Sequence, residues 1–445
     1  MSRTGEELPQ LEAAEAEVAV SVAVVTPSGD EVARPVRVWN LNFVLLWTGQ
    51  LISALGDVVY GIALGFWVLQ KTGSTALMGS LMAASTLPRI LLSPFAGVLV
   101  DRTDRRQTLI LTDALRGAAV LVIAALAYAD RLDTWMVFAA GIVISAASAF
   151  FFPAVGSTLP DIVPKQNLVK ANSAFSMLQT GSGILGNAAG GFLYQVLGAP
   201  LMFLANGVSY LVAAVAEVPM RIPRIRHESA TFNFIADLKS GFGFVWRYRG
   251  IRYIILIAAV LNFFAVMGFM LFLPMFERTP GLGAAKYGIV MAGLTGGMFA
   301  GYLLTSLINI APGRRFLVFY LSGIVSMGVA ILIPAWLSFP FMLGVAVILG
   351  IANAVLNSLL SAILGIVVPQ EMRGEVFSLL GTVSGGLTPI AFALGGVLAE
   401  AIPIRLLIAA AFALTLLSFL PTALSAALRR LVGFNPGVNT LEEIR

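Results

Sequence analysis

The run Gly97-Val98-Leu99-Val100-Asp101-Arg102-Thr103-Asp104-Arg105-Arg106 decides how this chain is read. It starts as the end of an apolar stretch, 76–100, passes through six residues of which five are charged, and re-enters an apolar stretch at 107–129. Each stretch exceeds twenty residues, enough to cross ~30 Å of hydrocarbon as a helix. A short, charged link between two such stretches is the loop between two membrane helices.

Outward from that loop the pattern repeats. Apolar stretches broken by Gly, Pro or charge predict helices near 41–69, 76–100, 107–129, 134–158, 171–197, 199–220, 251–276, 284–309, 316–336, 340–366, 375–400 and 404–427. Composition agrees: 58% of the 445 residues are hydrophobic, 11% are charged and the mean hydropathy is +0.90, against roughly 25% charged in soluble domains. The fold class expected is an all-α membrane protein of twelve transmembrane helices.

The basic residues behind the net charge of +5 lie in short loops rather than in one patch, so nucleic acid is not an expected partner. There is no Cys, and the single His227 lies in a polar loop, so neither a metal centre nor a His- or Cys-based catalytic group can be assembled. No Walker-type phosphate loop occurs. The reading expects no enzyme activity and no cofactor.

With the N-terminus in the cytoplasm, 21 Lys and Arg fall on the cytoplasmic side of the predicted spans and 5 on the other. The positive-inside rule then puts both termini in the cytoplasm of a bacterial-type inner membrane. Residues 1–38 are polar and acidic and read as a disordered tail. The short apolar run Val18 to Val25 has acidic flanks, which argues against a cleaved signal peptide. The longest polar interruption, 221–250, separates bundles expected at 39–220 and 251–428, with a second tail at 429–445. Within it Ile235, Leu238, Phe242, Val245 and Trp246 recur at helical spacing, fitting an amphipathic surface helix; a flexible basic linker is the alternative.

The two halves also repeat. Pro164 and Pro369, Gly181 and Gly386, Gly190 and Gly395, and Leu193 and Leu398 share one offset of 205. Gly79 and Gly288, and Arg105-Arg106 and Arg314-Arg315, share an offset of 209. Parallel halves related by an axis along the membrane normal suit two six-helix bundles that rock about a central site.

The loop quoted at the outset resembles the G-x-x-x-D-R-x-G/D-R-R/K signature of the major facilitator superfamily, with every fixed position present. The resemblance runs from about Asn40 to Leu431 and is closest to the macrolide-efflux and enterobactin-exporter-like drug:proton antiporters. It is carried also by Gly49-Gln50-Leu51-Ile52-Ser53 with Gly56-Asp57, by Leu87-Pro88-Arg89, by Phe152-Pro153-Ala154, and by Val368-Pro369-Gln370-Glu371. It implies two pseudo-symmetric six-helix bundles, a monomer in the bilayer, a small-molecule substrate and a proton gradient as driving force. Efflux of hydrophobic or amphipathic molecules leads; an importer or uniporter, or a non-transporting sensor of the same fold, are the alternatives.

The resemblance further implies a conformational latch at Gly97, Asp101, Arg102, Asp104, Arg105 and Arg106, with Gly97 permitting close helix packing and Asp113 and Arg116 joining the same network. A positive-inside anchor would explain the arginines alone. Gly183, Gly186, Gly190 and Gly191 are similar to the antiporter motif of helix 5, although Asn187 stands where Pro is usual; generic small-residue packing explains them equally. Helices 1, 4, 7 and 10 line the cavity in this superfamily, which makes Gln50, Tyr60, Asn262, Phe263, Phe264, Asn353 and Asn357 candidates for substrate contact. Asp57 and Arg89 are each 16 residues from Gly73. In an antiparallel hairpin they stand at equal depth, where unpaired charges cost roughly 2.5 to 3.5 kcal/mol each, so they are expected to form an ion pair or share a polar cavity. The pair is either a proton carrier or a permanent lock. Glu217 and Glu400, near span ends, are expected to snorkel to water.

Overall fold

A computed structural model describes residues 38–222, 242–308, 310–335, 338–369 and 372–434; for Val98, Asp101, Lys165, Arg373, Gly374 and Glu375 it describes the backbone alone. Eleven continuous apolar helices among these residues are long enough to cross a membrane. They are α1 (Leu41–Thr72), α2 (Thr75–Gly97), α3 (Arg105–Tyr128), α4 (Thr134–Ile162), a 50-residue helix Leu168–Glu217, α7 (Arg249–Arg278), α8 (Gly283–Leu307), α9 (Pro312–Ala335), α10 (Phe339–Val367), α11 (Val376–Ala401) and α12 (Ile404–Leu424). Fifty residues at 1.5 Å each are far too long for one crossing. Gly198 breaks the long helix with φ 69° and ψ 174° and Pro200 follows, so 168–197 and 199–217 are two spans, α5 and α6. The described residues therefore hold twelve helices of spanning length and composition, the number expected.

Local chemistry sets the helix ends. Asn40 caps α1, accepting from the Phe43 amide at 3.0 Å, and its Nδ2 donates to the Ile162 carbonyl at the end of α4, 2.7 Å away. Gly73, left-handed at φ 66°, closes α1, and Ser74 caps the start of α2. Asp104 caps α3 through the Gln107 amide at 3.2 Å. The chain thus has a loop-101 end, where α1 begins, and a turn-73 end, where it finishes.

Packing follows the repeat. In the first six helices α2 lies on α4, and α3 on α4 and α6; in the second six α8 lies on α10, and α9 on α10 and α12. Across the halves α2 packs on α11 and α5 on α8. These crossings are close because glycines meet: a Cβ at Gly396 would stand 3.1 Å from the Gly79 Cα, and one at Gly191 would stand 3.0 Å from the Gly288 Cα.

Of the linker, 223–241 lies outside the described residues, including Ile235 and Leu238, as does the expected tail before Val38. At 242–247 the backbone is helical, but Val245 is buried while Phe242 and Trp246 are exposed and stacked on each other. The second tail begins later than expected: Leu428, Leu431 and Val432 are fully buried in one cluster with Ile251 and Ile254 of α7. Arg315 then donates to the Phe434 carbonyl at 3.1 Å.

Candidate functional site: a cleft between the halves

The halves are joined at the turn-73 end. Glu400 of α11 accepts from Ser74 Oγ at 2.8 Å, Thr75 Oγ1 at 2.9 Å and the Ala76 amide at 3.0 Å, so a carboxylate of one half caps a helix N-terminus of the other. Gln70 donates to Glu277 at 2.9 Å and Arg278 to the Gly73 carbonyl at 2.7 Å. Glu400 is exposed, as expected of a span end, but its role is to bridge the halves. Glu400→Ala is expected to loosen this end: spin labels at Thr72 and Ala401 should move to longer distances, and an unchanged distribution would mean the glycine contacts hold it unaided.

On α1, Gly65, Gly61 and Asp57 lie along one face. A Cβ at Gly65 would strike Leu273 of the second half, one at Gly61 would meet nothing within 4 Å, and Asp57 is exposed. A cleft therefore opens between the halves from about Gly61 toward the loop-101 end, with Asp57 midway along α1 on its wall.

Behind Asp57 lies a buried charged cluster. Asp57 Oδ1 accepts from the Tyr210 hydroxyl of α6, and Asn206 flanks the carboxylate one turn before. Arg116 of α3 is ion-paired to Asp113. Its guanidinium carbon sits 3.9 Å from the centre of the Phe151 ring and 4.6 Å from that of Tyr210. Glu217, 1% exposed, reaches the same guanidinium electrostatically, as does Asp57. Three carboxyl groups thus surround one arginine, on helices α1, α3 and α6.

Asp57 and Arg89 form no ion pair with each other, so that alternative is overturned. Arg89 is exposed, lies 5.7 Å over the Phe152 ring, and its amide donates to Ser145 Oγ at 3.1 Å. Depth is one coordinate and direction is another: α1 packs on α5 and α6, α2 packs on α4 and α11, and the hairpin is splayed. Asp113 and Arg116 serve the Asp57 cluster, not the loop. Glu217 does not snorkel. Asn206, Tyr210 and Glu217 recur on α6 at intervals of four and seven, one polar stripe on an apolar helix and the signal that could have found them.

Among the loop residues, Arg105 pairs with Asp161 and donates to the Ser157 carbonyl of α4 at 2.9 Å, and Arg106 donates to the Val218 carbonyl after α6. Those partners are in the first half. Arg102 is exposed, and a Cβ at Gly97 would meet nothing within 4 Å in this structure. The Asp101 side chain lies outside the described residues. On α5, a Cβ at Gly186 would stand 2.8 Å from Val58 Cβ and one at Gly190 2.8 Å from Ile62 Cδ1, while Gly183 and Gly191 face Thr295 and Ala284 of α8. Those glycines let α5 touch α1 and α8 together.

The cavity candidates divide. Asn262, Asn353 and Asn357 line a cavity of about 300 Å³ inside the second half. Phe263 and Phe264 do not; they meet edge-on and pack on Met267, Ala391 and Ala411. Gln50, 6% exposed, is turned into the first half, and the Tyr60 ring packs on Phe203 with its hydroxyl buried near Asp57.

Known proteins fit this architecture. The chain is 27% identical over 377 residues to macrolide efflux protein A of Streptococcus pyogenes, covering 82% of this chain and 91% of that protein. It is 25% identical over 367 residues to the multidrug efflux pump Tap of Mycobacterium tuberculosis, covering 80% and 87%. In structure it resembles a bacterial homolog of the human lysosomal transporter Spinster, inward-facing and unoccupied, with a TM-score of 0.64 at 14% identity over 91% of this chain and all of that one. It also resembles a bacterial homologue of the iron transporter ferroportin, inward-facing, with a TM-score of 0.63 at 17% identity over 88% and 98%. The family model of the Major Facilitator Superfamily matches residues 46–336, well over half of the chain, and this multi-pass membrane protein with its two joined halves and central cleft belongs to that superfamily of transporters.

Proposed function

We propose that the protein is a proton-coupled exporter of hydrophobic or amphipathic small molecules that works by alternating access. Both termini and the loop-101 end face the cytoplasm of a bacterial-type inner membrane, a placement supported by the bias of 21 basic residues to 5. The cleft is then open to the cytoplasm and sealed at the turn-73 end. The efflux names of the relatives support the substrate class.

The observation that carries the proton step is the position of Asp57: exposed on the cleft wall, hydrogen-bonded to Tyr210 and within electrostatic reach of Arg116. A proton on Asp57 removes an anion from the surroundings of Arg116, which then turns its charge to Asp113 and Glu217 alone. Protonation at the cleft is thereby linked to how α3 and α6 pack behind it. Rocking of the halves carries that carboxyl from one side of the membrane to the other, and an acidic exterior drives the return.

The test is transport in everted vesicles with a macrolide, a cationic dye and a siderophore, with and without a pH gradient. Adding a transported substrate is expected to release protons from energised vesicles, and Asp57→Asn is expected to abolish both release and gradient-driven transport. Proton release from none of the three, or Asp57→Asn transport that keeps its full dependence on the gradient, would overturn the reading.

A further inference from the structure

The cavity of the second half is enclosed by α7, α9, α10 and α12 rather than by the two halves together. Among the described residues no charged side chain lines it. Asn262 and Asn353 are half-buried and Asn357 is exposed, so the amides mark its accessible edge; Ser326, Thr415 and Thr422 are all buried and mark its depth. Between them the wall is aliphatic and aromatic, with Phe319 and Phe419 on the floor. The Thr422 hydroxyl is buried without a hydrogen-bond partner among the described residues, an uncommon state for a buried polar group.

The internal repeat explains why space exists here. The helices equivalent to α7, α9, α10 and α12 are α1, α3, α4 and α6, which carry the Asp57 cluster. Continuing the offset of 205 along α6 and α12 sets Tyr210 against Thr415 and Glu217 against Thr422. Matching the buried faces of α3 and α9 sets Asp113 against Gly323 and Arg116 against Ser326. Where the first half fills its interior with a tyrosine, a glutamate and an ion pair, the second has short, neutral side chains. The interior that holds charge in one bundle is empty and neutral in the other.

We infer that this cavity is a binding subsite for an uncharged, mainly apolar group of one or two rings that carries a hydroxyl, ether or carbonyl oxygen. The inference rests on the transport reading, and the group is part of the transported molecule. The volume is about twice that of an engineered apolar cavity that takes up benzene and stands at the low end of small-molecule pockets. Absence of charge in the wall excludes an ionised group, which would be desolvated there without a counter-charge. The unpartnered Thr422 hydroxyl and the amides at the edge supply hydrogen bonds to the ligand's oxygen. A lipid chain has the same apolar chemistry but needs no hydroxyl at the far end of its site.

The test is equilibrium binding of Nile red, a neutral ring system with a carbonyl, to the full chain in nanodiscs without any gradient, so that it stands or falls apart from proton coupling. Saturable binding is expected. Ser326→Leu on α9 and Ala258→Leu on α7, which fill the cavity from two sides, should each weaken it at least about tenfold. Val325→Phe, which adds bulk on the outer face of α9, should leave it unchanged. Native mass spectrometry of the same samples separates the sources of ligand. No saturable binding, binding by both filled variants as tight as by the wild type when these remain monodisperse, or a phospholipid held by the wild type and lost from both filled variants would each overturn the subsite.

Discussion

Arg116→Leu should be the most damaging single change in the first half. Removing one partner of a buried ion pair commonly costs about 3–5 kcal/mol, because the remaining charge stays buried. Here the remainder is three carboxyl groups, Asp57, Asp113 and Glu217, all within electrostatic reach of that guanidinium. The change also removes the cation stacked between Phe151 and Tyr210. Asp113→Asn should cost clearly less, since Arg116 keeps two acidic neighbours and an amide can still accept from it. Thermal unfolding of the purified variants reads the difference: the arginine variant should melt well below the asparagine variant, and the double variant should recover part of the loss. Equal melting of the two single variants would mean that Arg116 serves Asp113 alone, and the cluster would reduce to an isolated pair.

The second large effect is expected at Gly191, and it concerns movement rather than folding. A Cβ there would stand 2.9 Å from the carbonyl carbon of Ala284 and 3.0 Å from the Gly288 Cα, both backbone atoms of α8 in the opposite half. A side chain can rotate away from an intruding methyl; a helix backbone has to translate. Gly191→Val should therefore hold the halves apart at the turn-73 end while leaving each bundle intact. A shift of ~1.4 kcal/mol between closed and open forms changes their ratio about tenfold, and transport depends on passing through both. Expected are loss of transport, a longer spin-label distance across Thr72 and Ala401, and little change in melting temperature. Gly186→Val is the contrast. Its added atoms would meet Val58 on α1 of the same half, so it should lower the melting temperature without widening that distance. If the two variants behaved alike, the glycines of α5 would have one common packing role.

The contrast between these glycines separates what can be read along a chain from what cannot. The spans, their number and the break at Gly198 follow from apolar length, which is a property of local sequence and of the thickness of hydrocarbon. So does the repeat, because equal offsets are visible without knowing where any helix lies. The caps at Asn40, Ser74 and Asp104 are local in the same sense. Counting from the turn at Gly73 also gives a position along a helix, sixteen residues for both Asp57 and Arg89, but not a direction around it.

The direction in which each side chain points around its helix is decided by which helices are neighbours. That is why Asp57 meets Tyr210, 153 residues away, and Arg89 meets Phe152. It is also why Glu400 crosses between the halves instead of merely reaching water, and why four equivalent helices enclose an ionic cluster in one bundle and an open, neutral cavity in the other. The loop that opened the reading marks the membrane protein by local chemistry alone: apolar length on either side and charge between. Arg105 and Arg106 find their partners in Asp161 and the Val218 carbonyl only once α3, α4 and α6 are assembled, because contacts between helices depend on the azimuth and spacing that tertiary packing sets.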